Sequence, residues 1–420
     1  MNIFNSGTNI EKWRYTTKQI GIKLPNTPIL TIPNIRLVSM YIEENFETHM
    51  FPLFKIKLIL EDDLYYTIMR NKDTCKIYLR IDKFYYLQNQ TEKSTYKPYI
   101  NGMFDIIIDD DREDFEIMDK KKEDTSFTSI KESNLNDPEE IDMELELYLF
   151  SSVVKDTKVN VNKILDNATV LDAVQYLMSV SKVNNLLMSQ PDNDTVYNTL
   201  VLPPLSILKS LMFIDIYYGI YKKGTMIWFG LNNSYIIPYE GECKAWKKGE
   251  NKITNIVING RGNTQHSIVM GKIHNQKYTF VVGDSSTISI ENASISNDYI
   301  NANELQTIDS YDGSMEVTES NTATEYSNFI KFFINKTLNK FISSMYAGRT
   351  SALNTVINIR LCDFDLDDFT PNKQFKFLFE YSEYSKKYKG SYLLSRIATT
   401  FSKEGDDFVV DSVAAFKKTN

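Results

Sequence analysis

The sequence predicts a mainly β protein of the α+β class, in which an α+β module sits between two β-rich regions. Three observations carry that expectation. Segments rich in Val, Ile, Tyr and Phe recur with a two-residue period towards both ends of the chain. Helical spacing is confined to a central segment and one stretch near residue 330. The chain closes on GSYLLSRIATTFSKEGDDFVVDSVAAFKKTN, Gly390 to Asn420, where two apolar arms flank the polar turn Ser402 to Asp407. That is the pattern of a β-hairpin, and a terminal strand so regular is expected to be locked into a sheet.

In chain order, the first strands fall in TPILTIPNIRLVSMYI and FPLFKIKLIL, then in CKIYLRIDKFYYLQ, where Ile77, Leu79 and Ile81 alternate with Tyr78, Arg80 and Asp82. Residues 1–151 thus read as a β domain. It is interrupted at 109–142 by a stretch with fourteen acidic and five basic residues and few apolar ones, read as a solvated, mobile insertion. IDMELELYLFSSVV returns to strand alternation directly after it, so the insertion interrupts a sheet and does not divide domains. Residues 152–239 form the α+β module. Val170, Leu171, Val174, Leu177 and Met178 share a helical face, with Asn167 or Thr169 as cap. A second helix is expected to start at Pro203-Pro204, to bury Leu205, Leu208, Leu211, Met212 and Ile216, and to end at Gly219 in a left-handed cap. Residues 240–351 read as short strands, a Ser/Thr/Asn-rich exposed excursion from Ser285 to Thr324, and a helix over 324–346 with Phe329, Phe333, Phe341 and Met345 inside. Residues 352–420 supply the last strands.

The totals bound the function. A chain of 420 residues implies two to four domains, and 42% hydrophobic with 13% aromatic residues excludes wholesale disorder. Three scattered cysteines, Cys75, Cys243 and Cys362, fit a reduced compartment without a disulfide framework. The start carries no visible secretory signal. Lys209, Asp215, Lys222 and Lys223 interrupt the most apolar region, Leu202 to Leu231, so no bilayer span or membrane anchor is expected. Net charge is −8, and the 109–142 stretch alone contributes −9. The remainder is near neutral and lacks a basic nucleic-acid footprint.

No catalytic set emerges. His49, His266 and His274 lack metal-ligand spacing and read as ordinary strand or turn residues. NGRGNTQ has Gly260 and Gly262 but Gln265 where a dinucleotide fingerprint needs a third glycine. Asp363, Asp365, Asp367 and Asp368 lie in LCDFDLDDFTP, which lacks the glycine and closing glutamate of an EF-hand and reads as a solvated turn. Catalytic residues, cofactors and metals are therefore expected to be none.

Two stretches carry a family resemblance. LPPLSILKSLMFIDIYYGIYKKGTMIWFGLNNSYIIPY, with Pro203, Pro204, Gly219 and Trp228, resembles the middle of phage tail baseplate hub proteins. Phe369-Thr370-Pro371-Asn372, then Gly390-Ser391-Tyr392-Leu393-Leu394 and SRIATTF with Phe401, resembles the last barrel of that family, which also includes the hubs of contractile-tailed phages and type VI secretion spikes. Asn372 stands where the family carries glycine, a change that a left-handed turn accepts. The resemblance implies two tail-tube-like β-barrels, about 1–151 without its insertion and about 240–290 with 352–418, joined by the α+β module. The terminal hairpin would close the second barrel. It further implies a homotrimer in the virion tail, assembled in the host cytoplasm, that joins a six-fold tail tube to a three-fold central spike. Its partners would be the tail tube protein, the spike, tape-measure and other baseplate proteins, with DNA only as passing cargo. Pro203, Pro204, Gly219, Trp228, Pro371, Gly390 and Phe401 would be structural residues. Another β-rich tail component (a distal tail or receptor-binding protein) and a tail-associated cell-wall hydrolase remain alternatives.

Overall fold

The computed structural model describes residues 10–47, 49–87, 90–108, 142–181, 183, 185–222, 224–239, 243, 253–258, 271–274, 279–282, 288–292, 304–308, 315–319, 355–379, 386 and 388–419. The acidic insertion at 109–142, but for its last residue, the 324–346 helix, most of the 285–324 excursion and His266 lie outside the described residues.

The N-terminal strands are β1 (Ile10–Lys23), β2 (Ile29–Ile32), β3 (Leu37–Asn45), β4 (Leu53–Glu61), β5 (Lys76–Leu87), β6 (Lys97–Ile108) and β7 (Asp142–Ser151). The middle module holds β8 (Asn160–Ala168), β9 (Leu186–Met188), β10 (Tyr197–Ser206), β11 (Thr225–Phe229) and β12 (Ser234–Pro238), with helices Val170–Ser181 and Ile207–Tyr217. Then come β13 (Thr254–Ile258), β14 (Gly271–Ile273), β15 (Thr279–Val282), β16 (Ile288–Asn292), β17 (Glu304–Ile308) and β18 (Met315–Glu319). The chain ends with β19 (Thr355–Cys362), β20 (Gln374–Phe379), β21 (Tyr392–Glu404) and β22 (Asp407–Lys418).

One large sheet dominates. Around it β21, β3, β4, β7, β6, β5, β1 and β22 pair in that order, and β22 pairs back to β21, which closes an eight-stranded barrel. Closure removes the exposed edges that an open sheet would leave. Alternation explains the barrel's interior: Phe54, Ile56, Leu58 and Leu60 of β4 face inward, and Lys55 and Lys57 face outward to Glu146 and Glu144 of β7. β1 has no clean two-residue period, because a register shift between Thr17 and Gln19 changes its facing residues midway. That irregularity hides a central strand from a periodicity reading.

The same sheet continues past the barrel. β20 pairs the first residues of β21, β13 pairs β20 in parallel, and β19 pairs the far half of β22. These strands enclose a second core rich in phenylalanine, with Phe375 and Phe416 at 4.9 Å between ring centroids and Phe377 against Tyr392 at 4.9 Å.

The middle module has its own core between its two helices and the ribbon β8–β10. Thr169 caps the first helix: its hydroxyl accepts from Asp172 N–H at 3.3 Å, and the Asp172 carboxylate accepts from Thr169 N–H at 2.8 Å. The second helix departs from expectation. Pro203 and Pro204 lie inside β10, where its register against β8 shifts between Leu202 and Leu205, and the helix starts at Ile207 with Ser206 as cap. Proline has no N–H for the ladder, so the pair interrupts the register, and pairing resumes at Leu205 and Ser206 directly before the helix. The buried face is consequently Ile207, Ser210, Leu211 and Ile214, and Met212 points to solvent.

Candidate functional site

Among the described residues, the densest convergence of elements is the junction where barrel, second core and middle module meet. The terminal hairpin builds most of it. Phe401, Phe408 and Val410, near its turn, lie in the barrel core, whereas Tyr392, Leu394, Ala414 and Phe416, at its open end, lie in the second core. The hairpin expected to serve the second barrel therefore also completes the first. A bulge makes this possible. β22 keeps one parity inward from Phe408 to Phe416, but β21 turns Tyr392 and Leu394 inward and then Ile397, Thr399 and Phe401. The extra residue at Ser395, in the register shift between Leu394 and Arg396, restores the inward face. Its carbonyl accepts from Phe46 N–H at 3.0 Å and its hydroxyl donates to Ala415 O at 3.1 Å. Between the two cores the hydroxyls of Thr399 and Ser412 hydrogen-bond at 2.8 Å.

A second element straps the junction. Asp363 to Phe369 crosses from β19 back over the barrel, and each of its aspartates meets a cation. Asp363 pairs with Arg14, Asp365 and Asp367 with Lys83, and Asp368 with Lys272 at 3.0 Å. Tyr15 Oη donates to Phe364 O at 3.2 Å and accepts from Leu366 N–H at 3.0 Å. The reading of this segment as a solvated turn is overturned: its partners lie 96 to 349 residues away in sequence, so no local spacing reveals them. Burial alone would push the Lys83 ammonium down, but the carboxylates of Asp365 and Asp367 outweigh it and hold the pKa above the usual lysine range.

The residues singled out in the sequence spread over this frame. Trp228 is buried on the β11–β12 face towards the second core, edge-on to Phe46 at 4.8 Å. The opposite face, Ile227, Phe229 and Ile236, enters the module's core, so this small sheet is covered on both sides. Pro371 is buried, and beside it Asn372 takes a left-handed φ of 61° and donates its amide to Pro238 O at 2.6 Å. Gly390 has φ +151°, and a Cβ there would approach Lys418 Cε to 2.8 Å. Phe401 is fully buried in the barrel, 5.3 Å from the Tyr15 ring. Gly219 adopts φ 75° at the helix end, where its N–H and that of Tyr218 both donate to Ile214 O at 2.9 Å. Pro203 and Pro204 lie apart from the junction, in the β8–β10 ribbon.

Among the described residues no group of three or more His, Cys, Asp or Glu side chains is placed to hold a metal, and no helix is long and apolar enough to cross a membrane. His274 Nδ1 meets Glu11 at 3.0 Å, a pairing between β1 and the residue after β14. The junction's polar groups act by pairing across elements and holding them in register.

A family model described as Bacteriophage PBS1 gene 109 protein matches residues 30–419. No curated protein matches the chain. Among solved structures, the chain is similar to the tail protein from Neisseria meningitidis MC58, with 10% identity, 96% of each chain covered and a TM-score of 0.44. It is also similar to the 43 kDa tail protein of prophage MuSo2 from Shewanella oneidensis, with 8% identity, 94% of this chain and 97% of that one covered, and a TM-score of 0.44. A third is the E. coli c3393 protein, a type VI secretion component with structural similarity to T4 bacteriophage tail proteins gp27 and gp5. There identity is 7%, coverage 95% and 77%, and the TM-score 0.42.

Proposed function

The chain belongs to the bacteriophage PBS1 gene 109 protein family, and we propose that it is a structural, non-enzymatic virion protein, the hub on which a tail tube ends. The observation that carries this reading is the shared hairpin. A single sheet runs from a closed eight-stranded barrel into a second hydrophobic core, so one rigid chain can present two β surfaces side by side. Closed symmetric assemblies need matched contact surfaces around the ring. Three copies, each with two such surfaces, would offer six positions to a six-fold tube and three-fold symmetry to a central spike. The motifs at 202–239 and 369–401, which resemble hub proteins, support the same role.

Imaging of the purified protein and of tails tests the proposal. A three-fold ring with a central channel, present in three copies between tube and spike, is the expected result. Six copies at that level, or a protein that stays monomeric at the concentrations of assembly, would overturn it. The hub reading also expects purified protein to leave the turbidity of host cell walls unchanged, and clear lysis would transfer the role to a tail-associated hydrolase.

A further inference from the structure

We draw no further inference here: the strongest candidate, the apolar patch on the β8–β10 ribbon of the middle module, where Ile164 and Val201 stand opposite one another and exposed and the outer edge of β8 meets no other strand among the described residues, carries none because nothing in the structure shows what covers it.

Discussion

Single side chains set the stability of the junction in two different ways. Phe401 acts by volume. It is fully buried against Tyr15 and Tyr99 in the barrel, so Phe401→Ala should cost roughly 3–5 kcal/mol in unfolding free energy. A value near that of a surface substitution would show that the hairpin is not packed there. Lys83 acts by charge. Its side chain is only 5% exposed, and it is the cation shared by Asp365 and Asp367. Lys83→Ala leaves buried carboxylate uncompensated and should cost about 3–5 kcal/mol, whereas the double change Lys83→Met with Asp365→Leu should cost much less. The ammonium's raised pKa gives a pH signature as well. Its contribution is complete below the ordinary lysine value near 10.5 and is lost as pH rises through the higher folded value. The wild type should therefore lose stability above about pH 10.5 more steeply than the double variant.

At the scale of elements, local chemistry decides where strands and helices stop. Gly390 precedes β21 with φ +151°, a conformation that L-residues rarely adopt, and a Cβ there would also displace the flexible end of the Lys418 side chain. Gly390→Val should cost on the order of 1–2 kcal/mol or more, read as a lowered melting temperature. The chain end supports the same corner, where Thr419 donates from both its N–H (2.7 Å) and its hydroxyl (2.9 Å) to Ser391 O. The helix Val170–Ser181 depends on its capping box in the same local way. Thr169→Ala should cost about 1 kcal/mol, with the loss confined to the middle module in hydrogen exchange. Exchange spread evenly over the barrel would contradict that assignment.

For the whole molecule, the shared hairpin predicts how the chain unfolds. Phe401 sits in the barrel core and Phe416 in the second core, yet both belong to one pair of strands with Thr399 and Ser412 bonded between them. Neither core can lose the hairpin without exposing the other. Phe401→Ala and Phe416→Ala should accordingly shift the same cooperative transition, seen alike by fluorescence and far-UV circular dichroism. Two transitions, each moved by only one of the substitutions, would show that the cores fold as separate domains.

The sequence by itself determined the mainly β class, the helical character of 170–181, the left-handed cap at Gly219 and the terminal hairpin, because each rests on contacts or torsions within a few residues. Periodicity placed β4, β5 and β7 for the same reason: alternation is a local record of which face is buried. Tertiary structure alone decided the rest. The bulge at Ser395 is invisible in SRIATTF, since a shift of parity has meaning only against the strands on either side. The strap DFDLDDF looks like a solvated turn until Arg14, Lys83 and Lys272 are brought to it by the closure of the barrel.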